Sequence, residues 1–172
     1  LKDFERRFLK KDRDPIATGW SEIDDISTGG LGKGELGVVI APTGAGKSMA
    51  LVHMGAHALL AGKTVVHYSF ELQDSVIATR YDSCITGVNL GDLHAFKEQI
   101  LEKVQDIEGR LIVKEYPTKS ASTETLKNHL YKLKQRGIEP DLIIVDYGDL
   151  LKPVNAFKEK RYELGSIYEE LR

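Results

Sequence analysis

The chain has 172 residues, 41% hydrophobic and 29% charged, with a formal net charge of −2. That length suits one domain with a real core, and the near-neutral balance excludes a general basic field for nucleic acid, so any DNA contact must be local. A single cysteine, Cys84, excludes an intrachain disulfide. No apolar run reaches the ~18 residues of a membrane span, and the start, LKDFERRFLKKDRD, has no signal-peptide pattern. The expectation is an intracellular, cytoplasmic protein, with Cys84 packed on a helix as a small apolar residue.

Residues 1–13 form an amphipathic helix candidate, with Leu1, Phe4 and Phe8 on one face, closed by Asp14-Pro15. That face either packs on its own domain or docks on a neighbouring subunit. The domain division follows: a linker helix over 1–14 and a catalytic domain over 15–172. Residues 16–34 read as an irregular lead-in punctuated by glycines. An apolar run, Leu36, Val38, Val39 and Ile40, predicts a buried strand. It leads into Ala41-Pro42-Thr43-Gly44-Ala45-Gly46-Lys47-Ser48 and then an apolar helical pattern to about residue 61.

Strand, small-residue loop and helix are the context a phosphate loop requires. Thr43, Gly44, Ala45 and Gly46 let backbone N–H groups curl around phosphate oxygens. The helix directs its positive end at the same anion. Lys47 is placed for the β- and γ-phosphates, and the Ser48 hydroxyl for Mg²⁺. The motif's usual first glycine is Ala41 here, so that position must have a negative φ.

Downstream, TVVHYSF (64–70) predicts a strand with Glu71 at its end. Helices are predicted over 74–85 and 92–107, the second with Leu93, Phe96, Ile100, Leu101 and Val104 on one side. RLIVKEY (110–116) is a strand, and Ser122 caps a helix running to about 135. LIIV (142–145) is a strand finishing at Asp146. Strands alternating with helices indicate an α/β doubly wound fold, a mostly parallel sheet with helices on both faces. Ligands in such sheets lie at the strands' carboxyl ends, where Gly44–Ser48, Glu71 and Asp146 all fall. The pattern at Tyr168-Glu169-Glu170-Leu171-Arg172 stops mid-helix, which suggests an excerpt of a longer chain.

Asp146 is placed near Ser48 to hold Mg²⁺ through its outer ring of ligands, or else to cap the next turn. Glu71 either orients and deprotonates a water facing the γ-phosphate, which is general-base work, or caps the following helix. Arg80 either pairs with a carboxylate or touches nucleotide at an interface. His53, His57, His67, His94 and His129 form no metal-ligand pattern and read as packing or surface residues. On the residues alone, a helicase motor, a recombinase or clock-type ATPase, a small-molecule kinase and a non-hydrolysing nucleotide-gated scaffold remain open.

The lead-in TGWSEIDDISTGGLGKGEL, the loop APTGAGKS, and the strand ends SFEL and LIIVDY together resemble the RecA-type motor domain of DnaB-like replicative helicases. DSCITGV, GRLIVKEYPT and LIIVDYGDLLKP extend the resemblance beyond the generic motifs, closest to the T-even phage group. The resemblance implies a RecA-like P-loop NTPase using ATP or another NTP with Mg²⁺. It implies catalytic Glu71 and Lys47, and metal-binding Ser48 and Asp146. It further implies a homo-oligomeric, hexameric ring on single-stranded DNA, working with a primase and a helicase loader. By the same resemblance, the family's phosphate sensor, DNA loops and arginine finger follow the Asp146 strand, past Arg172.

Overall fold

The structure, a computed structural model, describes residues 13–155 and 159–172. The helix expected at the amino terminus, with Phe4 and Phe8, lies outside the described residues except for Arg13.

Three parallel strands form the sheet: β1 (Thr64–Ser69) in the centre, flanked by β2 (Arg110–Glu115) and β3 (Leu142–Asp146). β1 pairs Thr64 with Arg110 on one side and Ser69 with Asp146 on the other. The helices are α1 (Ser21–Ile26), α2 (Lys47–Leu60), α3 (Asp74–Thr86), α4 (Lys97–Gln105), α5 (Thr123–Gln135) and α6 (Lys160–Leu171). A 3-10 turn (Gly148–Leu150) follows β3.

The pleat of β1 sorts its side chains between two cores. Val65 joins Val52, Ala56 and Leu59 of α2, Ile77 and Tyr81 of α3, and Leu142 and Ile144 of β3. Val66, Tyr68 and Phe70 join Leu126 and Leu133 of α5, Leu151, and Ile167 of α6. The sheet is thus covered on both faces, as the alternating pattern predicts. Ser122 caps α5 through a box: its Oγ accepts from the Thr125 amide, and Thr125 Oγ1 accepts from the Ser122 amide.

Three local expectations are corrected. Among the described residues, 36–40 run without any strand pairing, and Leu36, Val38, Val39 and Ile40 are exposed, Ile40 at 89%. An apolar run states what a segment would gain by burial, but a strand also needs a partner edge. Here the segment lies between Gly34 and the loop, unpaired with β3, whose Ile143 is also exposed. The second difference is α4, which starts at Lys97 rather than 92. Amides of Asp92, Ala95 and Phe96 bond three residues back, so 89–96 closes as turns. None of the α4 residues is fully buried. Third, Cys84 is on a helix, α3, but exposed.

The lead-in is more ordered than its glycines suggest. The Asp24 carboxylate accepts from the amides of Thr18 (2.7 Å) and Gly19 (3.3 Å), tying α1 to the turn before it. Arg13 then clamps the whole segment. Its guanidinium donates to the carbonyls of Ser27, Thr28 (3.0 Å) and Gly30 (2.9 Å), and pairs with Glu35 at 2.5 Å. This fork satisfies a chain that Thr28, Gly29 and Gly30 carry through positive φ.

Candidate nucleotide-phosphate site

The loop over residues 41–48 has the backbone an anion cradle needs. Gly44 (φ 79°) and Gly46 (φ 91°) are left-handed, and a Cβ at either would meet nothing within 4 Å. Glycine is required there by conformation, and the space above the loop is open. Gly46 is the N-cap of α2, with no side chain to occupy the first amides. Among the described residues only Thr28 and Lys119 combine a side chain with positive φ, so Ala41 meets the condition set for it. The Ala45 amide closes the turn on the Pro42 carbonyl at 3.2 Å. Lys47 Nζ donates to the carbonyls of Ala41 (3.0 Å) and Pro42 (3.1 Å), so its ammonium is parked on the loop's own rim.

Asp146 is 1% exposed, and its Oδ2 has no hydrogen-bond partner among the described residues. Burial raises its carboxyl pKa, helped by the Glu71 charge. The Ser48 hydroxyl, Arg80 and Lys47 pull it back down. The four groups acting on Asp146 come from the loop, from the end of β1 and from α3, so these elements converge at the carboxyl ends of the strands. A buried carboxylate oxygen left unpartnered beside the Ser48 hydroxyl is a fit for a divalent cation.

Glu71 stands two residues past β1, exposed. The cap reading gains no support: the N-cap of α3 is Gln73, without a side-chain bond, and the Asp74 amide goes to Glu115. Arg80 is half-buried on α3, with its charge felt by both Asp146 and His67.

His53, His67 and His129 pack against aromatic rings. Trp20 stacks on His53 at 4.3 Å and 28°, and Gly19 lies so close to His53 and His57 that a Cβ would come within 2.1 Å of the His57 ring. Among the described residues no three His, Cys, Asp or Glu side chains form a metal cluster. Sequence reasoning missed three groups: the Arg13 clamp, the Trp20–His53 stack, and a buried pair in which His67 Nδ1 and Tyr81 Oη lie 3.0 Å apart. The one available signal for the last was a histidine inside an otherwise apolar strand.

Comparisons with known proteins bear on the family and the fold. A family model described as the DnaB-like helicase C-terminal domain matches residues 15–172. The chain is 34% identical over 162 residues to a DnaB-like replicative helicase of Enterobacteria phage T4, covering 87% of this chain and 34% of the relative. It is 27% identical over 162 residues to the replicative DNA helicase DnaB of Helicobacter pylori (strain 26695), covering 91% and 33%. The chain thus spans about a third of the length of these curated relatives. Among solved structures, an ATPase domain superposes with a TM-score of 0.76 at 14% identity, over 99% of this chain and 62% of that one. A DnaB-like replicative helicase, solved in a study of its interactions with primase, gives 0.76 at 13% identity, over 99% and 43%.

Proposed function

The chain belongs to the DnaB-like helicase C-terminal domain family, and we propose that it is the ATP-hydrolysing motor of a ring-shaped replicative helicase that moves on single-stranded DNA and unwinds duplex. Residues 15–172 are the motor, and residues 1–14 are the linker to a neighbouring subunit. The ring is a homohexamer, served by a primase and a loader, as the family resemblance implies.

The observation that carries the site assignment is the convergence at one end of the sheet. An open glycine cradle, Lys47, Ser48, Asp146 and Glu71 meet there. Thr43, Gly44, Ala45 and Gly46 present backbone amides to the phosphates, and Lys47 leaves the carbonyls of Ala41 and Pro42 to engage the β- and γ-oxygens. Ser48 and Asp146 would hold Mg²⁺, which would neutralise charge on the phosphates. Glu71, exposed to solvent, orients a water and accepts its proton.

One experiment tests both halves of this assignment in the intact protein. Lys47→Ala should abolish ATP binding by calorimetry. Glu71→Gln should bind as wild type and lose single-turnover hydrolysis, because the amide keeps size and polarity but accepts no proton. Wild-type affinity in the first variant would overturn the phosphate-loop assignment. Wild-type turnover in the second would overturn the general base.

A further inference from the structure

His67 and Tyr81 form a polar pair in a place that stability alone would fill with carbon. His67 lies on the central strand and is 0% exposed; Tyr81 is 1% exposed. Their rings meet edge to face at 5.8 Å and 83°, with the 3.0 Å contact between Nδ1 and Oη. His67 Nε2 is buried with no partner among the described residues. An unpartnered buried polar atom is destabilising, so an apolar pair of similar shape would serve packing better.

The position of the pair suggests what it does instead. The phenol lies directly against the backbone of α2: a Cβ on Gly55 would sit 2.1 Å from Tyr81 Oη and 2.9 Å from Cε1 and Cζ. The helix therefore rests on the Tyr81 ring with no room to approach further. Gly55 is eight residues beyond Lys47, about 12 Å along a rigid helix at 1.5 Å per residue. On the sheet side, His67 lies two residues before Ser69, which is paired with Asp146. His67, Ser69 and Asp146 share the α2 face of the sheet. Asp146 is also close enough to help raise the Tyr81 phenol's pKa, behind burial and Cys84. The pair thus bridges the helix that carries Ser48 and the strand row just below Asp146.

We propose that the His67–Tyr81 hydrogen bond is a positioning element of the nucleotide site: it fixes the spacing of the phosphate-loop helix from the sheet, and with it the geometry in which Ser48 and Asp146 share one divalent cation. This inference rests on the assignment of Ser48 and Asp146 as the cation's protein ligands. His67 and Tyr81 touch neither nucleotide nor cation and act only through the elements they hold.

The test uses the intact protein loaded with ADP. Mn²⁺, standing in for Mg²⁺, is titrated and followed by electron paramagnetic resonance, and the Mg²⁺ dependence of ATP hydrolysis is measured alongside. Tyr81→Phe and His67→Leu should each weaken cation binding on the order of 10-fold, the usual scale for groups that orient metal ligands. The maximal rate at saturating Mg²⁺ should stay near wild type. His67→Asn, which offers a polar group in place of Nδ1, should recover most of the affinity. Unchanged cation binding in both Tyr81→Phe and His67→Leu overturns the proposal. So does a loss that His67→Asn fails to rescue, since that would be packing alone. Should Tyr81→Phe not fold, the comparison of His67→Leu with His67→Asn decides. Asp146→Asn separates the two levels: if it leaves cation binding intact, the ligand assignment fails, whereas if it abolishes binding and Tyr81→Phe does not weaken it, only the positioning role fails.

Discussion

β1 carries two tyrosine–histidine pairs, one on each face of the sheet, with nearly the same local geometry. On the α2 face His67 meets Tyr81 at 3.0 Å with rings at 83°; on the α5 face Tyr68 meets His129 at 2.8 Å with rings at 76°. Their surroundings differ. His67 is sealed, and burial, with Arg80 behind it, lowers its pKa to about 4. His129 is half-buried on α5; burial, then Lys114, Lys132 and Arg136, lowers its pKa as well. The same pair of side chains is therefore a sealed contact on the face of the proposed nucleotide site and a ventilated contact on the other. Context, not contact chemistry, sets what each is worth.

The largest expected effect comes from protonating the sealed pair. His67 is neutral in the native state down to about pH 4, while in the unfolded chain it takes a proton near 6.5. The unfolded state therefore binds more protons between those values, so stability is intact above pH 6.5 and lost as pH falls toward 4. A gap of about 2.5 units corresponds to on the order of 3 kcal/mol. Asp146 works in the opposite sense, because its raised pKa lets the native state hold a proton more readily than the unfolded chain. The difference between wild type and His67→Leu cancels that contribution. Urea unfolding at about pH 7 and about pH 4.5, either side of the unfolded-chain histidine value, should show His67→Leu losing markedly less stability on acidification than wild type. Equal losses would mean that His67 is not held neutral in the fold.

Gly55→Ala probes the same face by force rather than by charge. The new Cβ must displace the Tyr81 ring or the helix, and overpacking of this kind costs about 1–3 kcal/mol, partly offset by the better helix propensity of alanine. The diagnostic is non-additivity. Tyr81→Phe removes the atom that lies nearest the new methyl, so the double variant should be more stable than the sum of the two single losses predicts. Strict additivity in thermal melts would mean that helix and phenol are not in contact.

The two faces also differ in how far the sequence discloses them. The alternation of TVVHYS assigns each side chain to a face, and Leu126, Leu130 and Leu133 mark the inner stripe of α5 before any coordinates exist. The loop over 41–48, Glu71 and Asp146 are legible because their chemistry is written in residue type and in position at a strand end. Partners across the chain are not. Arg13 is a surface-type residue whose guanidinium finds carbonyls 14 to 17 residues away only once the lead-in has folded over it. His67 shows as an oddity in its strand, but Tyr81 lies on another element and Gly55 on a third. The residues 36–40 mark the opposite failure. Their composition predicts a strand, but pairing belongs to two segments at once, and no edge among the described residues meets them. One-dimensional patterns state what a segment prefers, and the strength of that statement ends where a second segment must answer.

The smallest effect, and the one that most sharpens the comparison, is expected at the ventilated pair. His129→Ala takes the partner from Tyr68 Oη, as His67→Ala would take it from Tyr81. Tyr68 is itself buried, but its hydroxyl points toward a half-exposed histidine, so removing that ring opens a path for water. A hydroxyl that exchanges one partner for water loses about 1 kcal/mol or less, whereas one stranded in a dry interior bears a desolvation penalty of roughly 1–3 kcal/mol. His67→Ala adds the cost of a buried cavity to that penalty. The two alanine variants should therefore differ clearly in urea midpoint, with His129→Ala close to wild type. Cation binding supplies the second axis: His129→Ala should leave the Mn²⁺ titration unchanged, because nothing on the α5 face bears on the spacing of α2 from the sheet. If His129→Ala weakened the cation as much as Tyr81→Phe does, the effect would be a general loosening of β1, and the distinction between the two faces would fall.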